Sequence, residues 1–144
     1  MIADSVELFT FTSNHNNLET VLSTTALKKQ YGPIKAVNGL DLRVEKGAVY
    51  GILGPNGSGK TTLLNLIAGT SKPDEGSLLL DDLDLTPFSE RKRAQYIGRV
   101  FQDPKAGTIG DFTLFENLAI AYNRGKRHTL RWSMSKERKE TFER

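Results

Sequence analysis

With 144 residues, 38% hydrophobic and 26% charged, the chain is long enough for one domain with a sizeable core. It has no cysteine, which excludes disulfides and thiolate metal sites, and no apolar run near the about 18 residues that a membrane-spanning helix needs. The formal charge of +3 is unevenly spread, with 12 Lys and Arg against 14 Asp and Glu in residues 1–123, and 8 against 3 in residues 124–144.

Residues 1–20 are polar and weakly patterned. They hold Asp4, Glu7 and Glu19 and lack the basic start and apolar stretch of a secretory signal, so a flexible extension of a cytosolic chain is expected, with the domain occupying 21–144. A strand-like stretch at 21–31 leads to a turn at Gly32-Pro33. Residues 40–44 alternate with period two, as a half-buried strand does. Glu45-Lys46-Gly47 then predicts a tight hairpin into a buried strand at 48–53. Two early strands of this kind suggest a small antiparallel sheet beside a parallel α/β core.

Next comes Gly54-Pro55-Asn56-Gly57-Ser58-Gly59-Lys60-Thr61, which fits the phosphate-binding pattern G-x-x-x-x-G-K-[ST], the Walker A motif. The chemistry explains the spacing. A di- or triphosphate carries several negative charges, and backbone N–H groups surround it only where no side chain intervenes. Gly54, Gly57 and Gly59 permit positive φ and close approach. The helix expected at 61–68 aims its unpaired N–H groups and partial positive charge at the same place. Lys60 adds a full charge toward the β and γ positions, and the Thr61 hydroxyl suits Mg²⁺.

That helix carries Leu63, Leu64, Leu66, Ile67 and Ala68, enough to predict burial on most sides, with Gly69 as a left-handed C-cap. Residues 73–76 read as a turn and 77–80 as a strand. Thr86 and Pro87 read as the N-cap and first residue of a short helix running to about Gln95. Residues 96–101 predict a further strand, ending at Gln102-Asp103-Pro104. Thr113 and Glu116 have capping-box spacing, and the helix they open sets Leu114, Leu118 and Tyr122 on one face, with Phe115 and Ala119 beside them. A basic loop at 124–128 precedes a charged helical segment at 135–144.

Three features together resemble the ATP-binding cassette (ABC) family over nearly all of residues 22–144. The loop is spelled Gly-Pro-Asn-Gly-Ser-Gly-Lys-Thr-Thr-Leu-Leu, a common form there. Val100-Phe101-Gln102-Asp103-Pro104 is similar to the family's glutamine loop (Q-loop), with Gln102 placed 42 residues after Lys60. Leu27-Lys28-Lys29-Gln30-Tyr31-Gly32 is similar to the opening in which an aromatic residue stacks on adenine. The resemblance implies a P-loop NTPase fold of α/β class with a small N-terminal antiparallel β-subdomain, and a site for ATP and Mg²⁺. Tyr31, Gly54, Pro55, Asn56, Gly57, Ser58, Gly59, Lys60, Thr61 and Thr62 are implied to bind nucleotide. Lys60 and Gln102 are implied to act in catalysis, and Thr61 and Gln102 at the metal. Residues 100–104 are implied to be the glutamine loop. From about residue 105 to 144 the chain is implied to begin a helical subdomain, where Phe112, Leu114 and Phe115 line a groove for the membrane subunit.

The implied partners are integral-membrane permease subunits, a second ATP-binding subunit and, indirectly, a solute-binding protein. The chain is thereby placed at the inner face of the cell membrane, most like bacterial importer cassettes. It departs from the family in having no Leu-Ser-Gly-Gly-Gln-type signature, no apolar strand ending in Asp-Glu (Walker B), and no switch histidine, since His15 and His128 are misplaced for one. These 144 residues therefore match the first half of a cassette, expected to bind MgATP without turning it over and to be marginally stable alone. Two other readings stay open: a soluble cassette ATPase acting on nucleic acid or the ribosome, and a nucleotide-binding remnant without transport. The basic segment from Arg124 has no interleaved aromatics besides Trp132, so nucleic acid is not the expected partner.

Overall fold

The computed structural model describes residues 7–11 and 19–123. Expectations for residues 1–6, 12–18 and 124–144, including the basic loop and the charged terminal helix, lie outside the described residues. The chain forms two compact units, divided between Glu90 and Arg91.

In the first unit, β2 (Thr20–Tyr31) and β3 (Ile34–Glu45) form a long hairpin closed by the two-residue turn Gly32-Pro33. β5 (Glu75–Leu80) lies on the other side of β2, and the short β6 (Leu83–Asp84) completes the antiparallel order β3-β2-β5-β6. The alternation in residues 40–44 is realised, because Leu42 is buried while Asp41 and Arg43 are exposed.

A bulge in β2 resets its faces. Three steps along β2, from Thr24 to Leu27, match two along β3, from Leu42 to Leu40. The extra residue lets Leu27 share the buried face of Leu22 and Thr24, where an unbroken strand would turn it outward. Ala26 takes φ 47° there, and its N–H donates to Asp41 Oδ1 at 2.6 Å. The buried Thr24 hydroxyl donates to Leu40 O and accepts from Leu42 N, so no polar atom is stranded beneath the bulge.

Helix α1 (Lys60–Ala68) supplies Leu63 and Leu66, which join Leu27 and Val37 in the core, with Leu40, Ile52 and Ile67 packed around them. Leu64 is 48% exposed, so the helix buries one stripe and not most of its circumference as its composition suggested. Gly69 ends it in the left-handed conformation expected, its N–H donating to Asn65 O.

Strand β4 (Val49–Leu53) is present, but the predicted hairpin is not. After the turn at residues 45–47 the chain changes sheets, and β4 pairs antiparallel with β1 (Glu7–Phe11), inside the stretch read as a flexible extension. Nor is the strand buried as predicted: Val49 and Leu53 are 71% and 55% exposed, while Ile52 reaches the core. All strand pairings among the described residues are antiparallel, so the parallel neighbour expected for β4 is not among them.

Thr86 also differs from its predicted role. Its hydroxyl accepts from Leu78 N at 2.9 Å and its own N–H donates to Asp84 Oδ1, tying the loop to β5. Capping a helix competes for the same hydroxyl, and the predicted helix shrinks to the single turn α2 (Glu90–Arg93).

In the second unit, residues 97–101 form no strand: none of the described strands forms a ladder with them, and Val100 is 97% exposed. A strand cannot persist without a ladder partner for its N–H and C=O groups. A 3-10 turn (Pro104–Gly107) follows, with Asp103 Oδ1 accepting from Lys105 N. The predicted capping box opens α3 (Leu114–Tyr122): Thr113 N–H donates to Glu116 Oε2 at 2.8 Å, and Glu116 N–H donates to the Thr113 hydroxyl. Ala119 is the buried residue of α3, whereas Leu114, Leu118 and Tyr122 are exposed.

The Thr113 N–H and hydroxyl hold the Glu116 carboxyl below its ordinary value. A carboxyl lowered in the folded state stabilises above its unfolded pKa and ceases to as pH falls through the folded one. Protection of the first-turn amides of α3 is therefore expected to be constant near neutrality and to decline as pH drops below 4.5. Thr113→Ala is expected to cost about 1 kcal/mol of helix stability. Hydrogen exchange followed against pH checks both.

Candidate nucleotide-binding loop

The loop at residues 54–59 joins the end of β4 to the start of α1, the strand–loop–helix context that the phosphate-binding pattern requires. Gly59 is the N-cap of α1, with φ 96°, so no side chain caps the helix and no acidic residue sits in its first turn. The opening N–H groups of α1 have no intrahelical acceptor, and with the helix dipole they form an anion-seeking end. A Cβ at Gly59 would lie 2.1 Å from the Ala36 carbonyl oxygen of β3, so two independent constraints demand glycine here.

Lys60 Nζ folds back over the loop. It donates to the carbonyl oxygens of Gly54 and Pro55, both at 2.7 Å, and to Ser58 Oγ at 3.3 Å. Ser58 is buried and its N–H closes a turn on Pro55 O. The ammonium group and a helix start with no acid in its first turn form a donor set that suits phosphate oxygens. Pro55, Asn56, Gly57 and Thr61 are exposed, and Thr61 and Thr62 occupy the second and third positions of α1. Among the described residues no three His, Cys, Asp or Glu side chains cluster as a metal site. The exposed Thr61 hydroxyl in the first turn of α1 has the position and chemistry to hold a magnesium ion together with phosphate oxygens.

Tyr31 lies in the same unit, at the end of β2, opposite Ile34. Its ring is half exposed, and Lys29 Nζ stands 5.5 Å from the ring centroid while pairing with Asp74. Ile34 is two residues along β3 from Ala36, the residue against Gly59, so one ribbon carries both the aromatic and the buttress of the phosphate loop. Lys29 and the Gln30 N–H hold the Asp74 carboxyl below its ordinary value. Gln102 belongs to the second unit, exposed at the bend before the 3-10 turn, and the Arg99 guanidinium lies 4.8 Å from the neighbouring Phe101 ring. Sequence reasoning missed the buttress from Ala36 and the lysine contacts with Gly54 and Pro55. Neither leaves a local signature, since backbone carbonyls are common to every residue.

A profile of ABC transporters matches residues 37–144. The tyrosine transport ATP-binding protein of Clostridioides difficile is 44% identical over 97 residues, covering 67% of this chain and 39% of its own length. The sulfate/thiosulfate import ATP-binding protein of Synechococcus elongatus is 41% identical over 102 residues, covering 71% of this chain and 27% of its own. Among solved structures, the ADP conformation of MJ1267, an ATP-binding cassette of an ABC transporter, matches with a TM-score of 0.67 at 31% identity, covering 87% of this chain and 52% of that one. The chain thus spans less than two fifths of the length of these curated relatives and about half that of the solved cassette. With a P-loop NTPase fold shared with ABC cassettes and a profile match over most of its residues, the chain belongs to the ABC transporter family.

Proposed function

We propose that this chain forms the nucleotide-binding part of an ABC importer subunit, taking MgATP at residues 54–62 with Tyr31 against the adenine. The observation that carries the reading is the uncapped, glycine-led start of α1 with Lys60 folded over it. Lys60 exchanges its carbonyl partners for β and γ phosphate oxygens, and Thr61 offers its hydroxyl to Mg²⁺. When bound, Mg²⁺ neutralises charge on the transferring phosphate. In the whole protein, hydrolysis drives solute movement through separate permease subunits, with a second ATP-binding subunit as partner and a solute-binding protein delivering cargo. That function places the protein at the cytoplasmic face of the membrane, the helical subdomain beginning near residue 105. No described helix is long and apolar enough to cross a membrane.

Titration of the chain with MgATP in a calorimeter is the test, and absence of saturable binding overturns the reading. Tyr31→Ala is expected to weaken ATP by roughly 1–3 kcal/mol through lost stacking. It is expected to leave affinity for inorganic triphosphate unchanged. An equal loss for both ligands would remove Tyr31 from the adenine position.

A further inference from the structure

Strand β2 outruns its neighbour on one side. Its pairing with β5 ends at Lys28, opposite Glu75, while β2 itself continues to Tyr31. On the other side the register slips: the step from Lys29 to Gln30 matches two along β3, from Val37 to Lys35, so Ala36 has no opposite residue in β2. Among the described strands, the end of β2 that carries Tyr31 is therefore flanked by β3 alone, across a bulge.

Asp74 stands where the next residue of β5 would be. Its N–H donates to Lys28 O at 2.9 Å, its Oδ2 accepts from Gln30 N–H at 2.7 Å, and its Oδ1 accepts from Lys29 Nζ at 2.8 Å. One residue thus grips three successive positions of β2, on both sides of the bulge. The Lys29 ammonium, drawn in by that carboxylate, is the group that stands 5.5 Å from the Tyr31 ring centroid. The Gln30 amide donates in turn to Gly32 O at 2.6 Å, bracing the turn that follows the tyrosine.

We infer that Asp74 is a positioning residue for the nucleotide base: through the Gln30 N–H and the Lys29 ammonium it fixes the Tyr31 ring, and the base stacks on the face that the ammonium leaves open. The inference rests on the reading of Tyr31 as the adenine contact given above. A stacking surface contributes most when it is set before the ligand arrives, because a side chain ordered on binding subtracts its lost freedom from the affinity. A cation over one face of a ring is attracted to its π electrons and resists the ring swinging away. That cation stays in place only if its own position is held, and a charge-assisted bond to Asp74 holds it. Asp74 lies in the turn between α1 and β5, so the helix that starts in the phosphate loop leads at its other end to the residue that sets the base platform. Both ends of a nucleotide are thereby referred to one helix.

Calorimetric titration of the full chain with MgATP, and separately with inorganic triphosphate and Mg²⁺, is the test. Asp74→Ala is expected to weaken MgATP about three- to fivefold and to leave triphosphate unchanged. Lys29→Met keeps the apolar stem and is expected to lose about as much, whereas Lys29→Arg, whose guanidinium also stacks on rings and pairs with carboxylates, is expected to stay within about twofold of the native chain. In a Tyr31→Ala background, Asp74→Ala is expected to have no further effect on MgATP. An equal loss for ATP and triphosphate, or an undiminished loss in the Tyr31→Ala background, makes Asp74 a merely structural residue and overturns the inference. Should Asp74→Ala not fold, Lys29→Met carries the same comparisons. If Tyr31→Ala binds ATP as the native chain does, the adenine reading fails and the inference falls with it. A loss in Tyr31→Ala with none in Asp74→Ala leaves that reading standing and overturns the role of Asp74 alone.

Discussion

Lys60→Ala is expected to lower MgATP affinity by roughly 1.5–3 kcal/mol, which is about ten- to a hundred-and-fifty-fold. The lysine carries a full positive charge that the structure folds over the loop, held there by two carbonyl oxygens and the Ser58 hydroxyl. Neutral acceptors release it to a phosphate at small cost, because a charge-assisted bond to a doubly charged group is stronger than bonds to carbonyls. Removing the side chain also leaves those acceptors without a donor, but the Gly54 and Pro55 carbonyls belong to exposed residues where water substitutes, and the buried Ser58 hydroxyl loses only its longer 3.3 Å contact. The loss is thus expected in affinity and not in folding. Calorimetric titration of both proteins, with thermal melts alongside, checks this, and equal affinity would take Lys60 out of the site.

Gly76→Ala is expected to be strongly destabilising to the first unit. Gly76 has φ 85°, and a Cβ there would stand 2.5 Å from the carbonyl oxygens of both Thr25 and Ala26. Those atoms are backbone, at the bulge that turns Leu27 into the core, so neither can swing aside as a long side chain would. The left-handed conformation alone costs about 1–2 kcal/mol for a residue with a Cβ. The clash adds to that, since relief requires β5 to move off β2 or the bulge to be lost, and either change withdraws Leu27 or Leu78 from the core. A total of about 3 kcal/mol or more is expected, a large part of the roughly 5–15 kcal/mol that stabilises a typical domain. Urea denaturation of the two chains gives the difference. A change under about 0.5 kcal/mol would show that the bulge is not rigid.

Much of the local structure is legible in the chain. The phosphate loop is written in contiguous residues whose chemistry is backbone geometry and charge, so Gly54 to Thr61 identify the loop before any fold is known. The capping box at Thr113 and Glu116 and the C-cap at Gly69 are equally local. Tyr31 is legible as a candidate only through the resemblance of residues 27–32 to the family's opening segment. The end of β2 and the turn follow from period and punctuation, whereas the one-sided burial of α1 at Leu63 and Leu66 does not, because Leu64 is as apolar as they are. The burial of β4 is misread because an apolar run is the same whether or not a second sheet face covers it. Thr86 is misread because a hydroxyl before Pro87 suits a helix cap as well as it suits Leu78 N, eight residues back.

The sequence by itself determines the residues that can cradle a phosphate, because that chemistry is carried by one short run of glycines, a lysine and a threonine. Only the tertiary structure decides the long-range backbone contacts of this unit: the Ala36 carbonyl against Gly59, the bulge at Ala26 under Gly76, and the pairing of β1 with β4. Each of these joins segments tens of residues apart through backbone atoms, which all residues share. A contact of that kind is selected by the packing of the whole unit and leaves no pattern in either segment alone.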